Sequence, residues 1–171
     1  MTGSELAWTC SVCEKIHRGL PAIAFNAPAH YYGIPAEERP RRTALNEDFC
    51  VIDGEAFYIR SVLEVPISGR NETLEWGVWS SLSEAHFLRY KEAFLDADQS
   101  KLGPMFSWFG VELPGYPSTL NLRCNVIPAD NRQRPHIIFD PSQDHTLIAD
   151  IENGIGLERA IAFVEPMLHR H

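Results

Sequence analysis

The sequence predicts an α+β fold in which a mainly antiparallel sheet packs against two or more helices. Strand patterns follow one another with short turns, helical patterns fall at the ends of the strand groups, and 171 residues suffice for one hydrophobic core. A doubly wound parallel sheet would instead alternate strands with helices. We therefore expect a single domain over residues 1–171, made of a short cysteine-bearing segment at 1–34, an exposed polar connection at 35–48 and an α+β body at 49–168.

Five strands are predicted from alternating apolar and polar residues. The clearest alternation runs from Phe57 to Ile67, where most odd positions are apolar while Arg60 and Glu64 lie on the other face. The Asp53-Gly54 turn signal precedes this run and predicts a hairpin with the strand before it. The predicted strands span residues 49–52, 57–67, 74–78, 120–126 and 136–140.

Two helices are predicted from capping and periodicity. Ser81 and Glu84 have the spacing of a capping box, and an apolar stripe of Phe87, Leu88, Phe94 and Leu95 follows. The second helix covers residues 157–165, and Pro166 is expected to kink or end it. The aromatic stretch between the helices, residues 105–117, has the composition of a connection with a compact turn.

Charge and hydropathy limit the classes of partner. Fifteen Lys and Arg face 23 Asp and Glu, a net charge of −8, whereas binding to nucleic acid requires clustered positive charge. No apolar run is long enough to span a membrane, and residues 1–8 lack the pattern of a signal peptide. We therefore expect a cytoplasmic protein that binds neither nucleic acid nor membrane, and whose surface favours basic partners.

The most informative motif is a candidate zinc site in the N-terminal segment. Cys10 and Cys13 form a C-x2-C pair, and His17 follows within reach of the same ion. Thiolates and an imidazole suit zinc, which takes four ligands in a structural site. Cys50 is the first candidate for the fourth position and His30 the second.

Other interpretations of these thiols stay open. The pair could be redox-active, although Leu20-Pro21 would end any helix that follows it, or it could be incidental. Cys124 lies on the apolar side of its strand and is expected to pack in the core. His169 and His171 are given no role, since chain ends fray.

Aromatic residues indicate a candidate surface for a protein partner. Trp108, Phe109 and Tyr116 lie in a stretch that is unusually aromatic for a connection. Partly exposed Trp and Tyr anchor many protein interfaces, so these three residues are predicted to bind a partner. The alternative is that they are simply buried.

Several motifs together resemble one bacterial family. These are Cys10-x-x-Cys13 with His17, the runs 50–55 and 57–60, the run 76–83, and Leu113-Pro114-Gly115-Tyr116-Pro117 followed by residues 119–122. They are similar to the uncharacterised bacterial proteins grouped as domain of unknown function 2199. The resemblance implies a small bacterial cytoplasmic protein, and the family's pattern has Gly where this chain has Glu14. It implies no activity.

Function is therefore predicted from chemistry alone. Signatures of nucleophile elbows, phosphate-binding loops and metalloprotease helices are missing from the sequence. The leading interpretation is a zinc-containing, non-enzymatic binding protein of the immunity type, which would neutralise a basic toxin domain by covering its active site. The alternative is a zinc-dependent enzyme with Cys10, Cys13 and His17 as ligands and a water in the fourth position. A regulatory adaptor is a third interpretation.

Overall fold

A computed structural model describes residues 5–170 of the chain. The first residues of the N-terminal segment, 1–4, and His171 lie outside the described part. The described strands are β1 (Ala7–Thr9), β2 (Ile16–Arg18), β3 (Ile23–Ala24), β4 (Thr43–Leu45), β5 (Phe49–Ile52), β6 (Ala56–Pro66), β7 (Thr73–Leu82), β8 (Met105–Trp108), β9 (Arg123–Ile127) and β10 (His136–Phe139). The helices are α1 (Ala29–Tyr32), α2 (Arg39–Arg42), α3 (Glu84–Glu92), α4 (Thr146–Asn153) and α5 (Leu157–Leu168), with a 3-10 helix at Gln99–Leu102.

The strands form two sheets, which confirms the α+β fold. β1 and β2 make a small antiparallel hairpin of their own. The other eight strands form one sheet with the order β3-β7-β6-β10-β9-β8, to which β5 adds on β6 and β4 on β5. Most neighbours are antiparallel, but β3 runs parallel to β7 and β10 runs parallel to β6. The large sheet is therefore mixed rather than purely antiparallel.

The far edge of the large sheet returns to β7. A bridge joins Phe109, directly after β8, to Ser80 in β7, and the Gly110 amide donates to the Trp79 carbonyl at 2.8 Å. A side chain at position 110 could not fit here, because its Cβ would lie 2.8 Å from that carbonyl oxygen. The sheet thus curls until the end of β8 contacts β7, the neighbour of the opposite edge strand, which leaves β8 without a free edge at this point.

Both faces of the central hairpin β6–β7 are covered. Trp76 and Trp79 point to opposite faces of β7, and both are fully buried. Phe163 of α5 packs edge-on against Trp76, with 5.4 Å between ring centroids. Phe25, which follows the edge strand β3, also stacks on Trp76, while its carbonyl accepts hydrogen bonds from the Trp79 indole and the Arg60 guanidinium. The complete burial of both tryptophans shows that both faces of the hairpin are covered.

The predicted strands are largely confirmed. β5 has the predicted bounds and pairs with β6 as the expected hairpin. β6 presents Ile59, Leu63 and Val65 to the core. β10 also forms at the predicted place. The strand predicted at 120–126 begins only at Arg123, because residues 119–122 form a turn in which Asn121 adopts a φ of 62°.

The first predicted helix begins at a later residue than predicted and buries a different set of side chains. β7 extends to Leu82, so Ser81 pairs with Tyr58 in the sheet and cannot cap a helix. Ser83 takes that role, and its hydroxyl accepts from the His86 amide at 3.2 Å. The helix ends at Glu92 and buries Phe87 and Tyr90, whereas two members of the predicted stripe, Leu88 and Leu95, are exposed.

Nine described elements were not predicted. The N-terminal segment contains β1, β2, β3 and α1, the connection expected at 35–48 contains α2 and β4, the 3-10 helix follows α3, and the aromatic connection contains β8. α4 is the ninth, and its amino end is capped by the His145 imidazole, which accepts from the Leu147 amide at 3.1 Å. α5 passes through Pro166 and continues to Leu168. No helix within residues 5–170 has the length and apolar character that crossing a membrane requires.

Candidate metal site

The C-x2-C motif forms the turn between β1 and β2. The Glu14 amide donates to the Cys10 carbonyl at 3.0 Å, and the Cys10 amide donates to the Lys15 carbonyl at 2.9 Å. These bonds wind the chain tightly enough to bring both thiols to one side of the turn. Glu14 has a φ of 58°, in the left-handed region that a glycine would occupy without strain. A glycine at this position, as the resemblance described above implies for that family, would adopt this conformation without strain.

Four side chains converge at this turn. The Cys10 Sγ lies 3.1 Å from the His169 Nε2, and the Cys13 Sγ lies 3.4 Å from the His17 Nε2. All four ligand atoms lie within 4.8 Å of one another. The cluster thus contains the three residues predicted from the motif and a fourth, His169, which sequence reasoning set aside.

His169 is held in place by the helix that precedes it. It directly follows α5, and Glu165, one turn earlier, accepts hydrogen bonds from the Ser11 amide at 2.7 Å and the Ser11 hydroxyl at 2.9 Å. These bonds lower the pKa of the Glu165 carboxyl, because they favour its charged form. The carboxylate therefore links the thiol turn to α5 beside the cluster.

Cross-strand packing orients His17. It lies opposite Trp8 in the β1–β2 register, and the two rings stack with 5.0 Å between centroids. The Trp8 indole is itself fixed by a hydrogen bond to the Gly19 carbonyl at 2.9 Å. The His17 imidazole then contacts Cys13, and this hydrogen bond lowers the pKa of the Cys13 thiol. The thiolate, which is the form that binds metal, is thereby favoured.

The distances within the cluster suit a tetrahedral ion. Bonds of about 2.3 Å to sulfur and about 2.0–2.1 Å to nitrogen place tetrahedral ligand atoms about 3.3–3.8 Å apart. The sulfur–nitrogen contacts of 3.1 and 3.4 Å lie close to that range. Two thiolates and two imidazoles also form a recognised donor set for structural metal sites. The residues present therefore fit a bound metal ion.

The predicted fourth ligand, Cys50, lies elsewhere. It is fully buried on β5, opposite Tyr58, and burial raises the pKa of its thiol to about 11. It belongs to the large sheet, whereas the cluster lies between the small hairpin and the end of α5. His30, the second candidate, also lies away from the cluster and contacts the Tyr58 hydroxyl at 3.1 Å. His169 occupies the position predicted for Cys50.

The three predicted partner-binding residues differ in exposure. Trp108 is 44% exposed on β8, as a binding role requires. Phe109 is fully buried and packs edge-on against Phe139, with 5.0 Å between centroids, so it cannot contact a partner. Tyr116 is half-buried: it stacks on Phe163 and donates to the Asp150 carboxylate at 2.7 Å, which fastens its turn to the helices.

An exposed aromatic neighbour of Trp108 was not among the predicted binding residues. Phe106 lies two residues earlier on the same face of β8, is 49% exposed, and packs edge-on against Trp108 with 5.1 Å between centroids. The strand register places Phe106 in line with Asn125 and the exposed Ile138. We call Phe106, Trp108 and Ile138 the aromatic patch. Trp108 also borders a cavity of about 420 Å³ that His30, Tyr58 and Asn121 help to line.

Comparison with known proteins yields a family and no further relative. Among curated proteins and among solved structures, none matches this chain. A family described as uncharacterized proteins conserved in bacteria, domain of unknown function 2199, matches residues 9–155, which include Cys10, Cys13 and His17 but not His169. Since the match covers most of the sequence, the chain belongs to this family.

Proposed function

We propose that this chain is a zinc-stabilised binding protein of the immunity type, which acts in the cytoplasm by covering a basic toxin domain. The observation that carries the proposal is the pairing of a four-donor cluster, which would leave an ion no open position, with an aromatic patch exposed on the sheet. The first feature favours a structural metal over a catalytic one, and the second offers a surface for a partner.

The donor set favours zinc. Cysteine thiolates with histidine imidazoles suit zinc better than magnesium or calcium, which prefer oxygen ligands. An enzymatic site would require a water in the fourth position, but His169 lies 3.1 Å from the Cys10 sulfur and would fill it. The alternative of a zinc-dependent enzyme therefore has no support from the geometry of the cluster.

The zinc assignment is tested by stoichiometry. The protein is purified without a metal-affinity tag and its metal content is measured by mass spectrometry. One zinc per chain is expected in the native protein and in a control variant, His86→Ala, whose imidazole lies outside the cluster. Cys13→Ser is expected to lose most of the metal. A native protein without zinc after incubation with the ion and gel filtration would contradict the assignment.

The partner surface is argued from exposure and charge. Large aromatic side chains contribute most of the binding energy in many interfaces, and Trp is among the most frequent of them. The chain carries a net charge of −8, so a basic partner would associate faster through electrostatic steering. Toxin domains that act on nucleic acids tend to be basic, which is why such a domain is the proposed partner.

The immunity role predicts that a basic toxin domain is encoded beside the gene, and it is tested in cells that express that domain. The native chain is expected to restore growth, and Trp108→Ala is expected to weaken the complex about 30-fold, as for a central interface residue. Leu95→Ala serves as the control, because Leu95 is 69% exposed yet lies outside the aromatic patch. Equal protection by all three chains would refute the assigned surface, and failure of the native chain to protect would refute the role.

A further inference from the structure

A second cleft lies apart from both the metal cluster and the aromatic patch. It has a volume of about 360 Å³ and lies between the carboxyl end of α3 and the loop that precedes β10. Tyr90 and Phe94 form an aromatic wall, while Asp48, Gln99, Arg132 and Arg134 bring polar groups to the cleft. Such a mixture of an apolar wall with a few polar groups is typical of small-ligand sites.

Gln99, which lines this cleft, has an unsatisfied polar atom. The residue is 1% exposed, and its amide nitrogen donates to the carbonyls of Ala93 and Phe94, at 3.0 and 2.6 Å. The amide oxygen finds no hydrogen-bond partner in the described part of the chain. A buried acceptor without a partner is costly, so this oxygen is a position at which a donor would be bound favourably.

The loop beside Gln99 presents an arginine with free donors. Asn131 and Arg132 both adopt left-handed backbone angles, with φ values of 60° and 58°. The Asn131 amide donates to the Ala97 carbonyl at 2.7 Å, and the Arg132 Nε donates to the Leu95 carbonyl at 3.1 Å. Within residues 5–170, no carboxylate forms an ion pair with Arg132. Its terminal amino groups therefore stay available to an anion.

A second arginine lies next to it. The Arg134 Nε donates to the Asp48 carboxylate at 3.3 Å, which orients the guanidinium and leaves its amino groups for another acceptor. Among the residues that line the cleft, two guanidiniums thus face one carboxylate. This local excess of positive charge contrasts with the net charge of −8 of the whole chain.

We infer that this cleft binds a small ligand that carries a phosphate or a carboxylate beside a hydroxyl group. Arg132 and Arg134 would hold the oxyanion, since guanidinium groups match its geometry with paired donors. The hydroxyl would donate to the Gln99 amide oxygen, and the carbon skeleton would lie on the wall of Tyr90 and Phe94. The inference does not depend on the proposed immunity role, because neither the metal cluster nor the aromatic patch contributes to the cleft.

The inference is tested by NMR titration of the full chain at constant ionic strength. The probes are glycerol 3-phosphate, glycerate, inorganic phosphate and glycerol. Glycerol 3-phosphate or glycerate is expected to shift the amide signals of Gln99 and Gln133 and to bind at least tenfold more tightly than inorganic phosphate. The stronger of the two identifies the oxyanion. Glycerol alone is expected not to bind.

Two variants with matched charge test the site. Arg132→Asn removes the guanidinium and keeps a residue that tolerates the left-handed backbone, and it is expected to weaken binding about tenfold or more. Arg70→Gln removes the same charge from a turn outside the cleft, where Arg70 pairs with Glu72, and is expected to leave binding unchanged. Equal affinity in both variants, saturation by none of the charged probes, or signal changes confined to other surfaces would overturn the inference.

Discussion

Replacement of His169 by alanine tests whether this residue is a metal ligand or only packs against its neighbours. Cys10 and His169 are 159 positions apart, so an ion held by both closes nearly the whole chain into a loop. With the loop-entropy relation used for cross-links, closure of such a loop stabilises the folded state by about 5 kcal/mol at most. Without His169, the remaining ligands span only residues 10–17 and would close a short local loop.

The expected result depends on zinc. With zinc in excess, His169→Ala should unfold at a urea concentration about 2 M below that of the native protein, for a slope of about 2 kcal/mol per molar urea. With a chelator present, the two proteins should unfold at nearly the same concentration, because neither then carries the cross-link. Equilibrium denaturation followed by tryptophan fluorescence measures both conditions.

The matched control is His86→Ala, which removes an imidazole from α3 and leaves the cluster intact. It should show the same dependence on zinc as the native protein. A difference between His169→Ala and the native chain that is equal with zinc and with chelator would assign His169 a packing role only. Identical unfolding curves in zinc would refute the idea that the ion links the two ends of the described chain.

Three further predictions concern the turn, the core and the sheet closure. Glu14→Gly should raise the free energy of unfolding by about 1 kcal/mol in urea denaturation, because glycine accepts the φ of 58°; Glu14→Ala, which keeps the Cβ, should give no gain. Burial raises the pKa of the Cys124 thiol from 9.0 to about 12, so the folded state keeps a proton that the unfolded state loses, and stability falls as pH rises above 9. Between pH 9 and 10.5, under reducing conditions, the free energy of unfolding of the native protein should fall by about 1–2 kcal/mol more than that of Cys124→Ala; equal losses would contradict this assignment. Gly110→Ala should lower the free energy of unfolding by about 2–3 kcal/mol, because its Cβ would lie 2.8 Å from the Trp79 carbonyl oxygen. Gly156→Ala, with open space around it, should lower it much less in the same thermal or urea unfolding assay.

Strands that alternate with their apolar face inward could be predicted from the sequence, and β8 shows why others could not. In β8 the buried positions are Met105 and Ser107, while Phe106 and Trp108 point outward. The largest apolar residues thus lie on the exposed face, so the usual link between hydrophobicity and burial is inverted. The inversion concentrates exposed aromatic surface on one strand, which is why the same residues support a binding role.

Helix starts depend on which neighbour the chain pairs with. Ser81 and Ser83 are both acceptable capping residues, and the choice between them follows from the pairing of Ser81 with Tyr58 in the sheet. α4 begins after His145, whose imidazole caps the helix although histidine is not among the usual capping residues. Local propensity cannot settle either case, because long-range contacts decide both.

In the candidate metal site, three ligands could likewise be predicted from the local sequence, whereas the fourth depends on long-range contacts. Cys10, Cys13 and His17 could be predicted because a tight turn and one strand pair hold them within eight residues. His169 could not, since its position depends on how α5 packs on the large sheet through Phe163 and on the link from Glu165 to Ser11. One signal pointed to it: the motif supplies only three ligands, and a closed tetrahedral site requires a fourth from elsewhere in the chain.

The distant origin of His169 bears on what the ion would do. If all four ligands were local, the metal would stabilise only the β1–β2 hairpin and its loss would leave the body unchanged. With His169 as a ligand, the ion joins the hairpin to α5, whose Phe163 packs on Trp76 in the core and on Tyr116. Metal binding is then coupled to the packing of α5 on the sheet, and removal of the ion should loosen the hairpin and the last turn of α5 together.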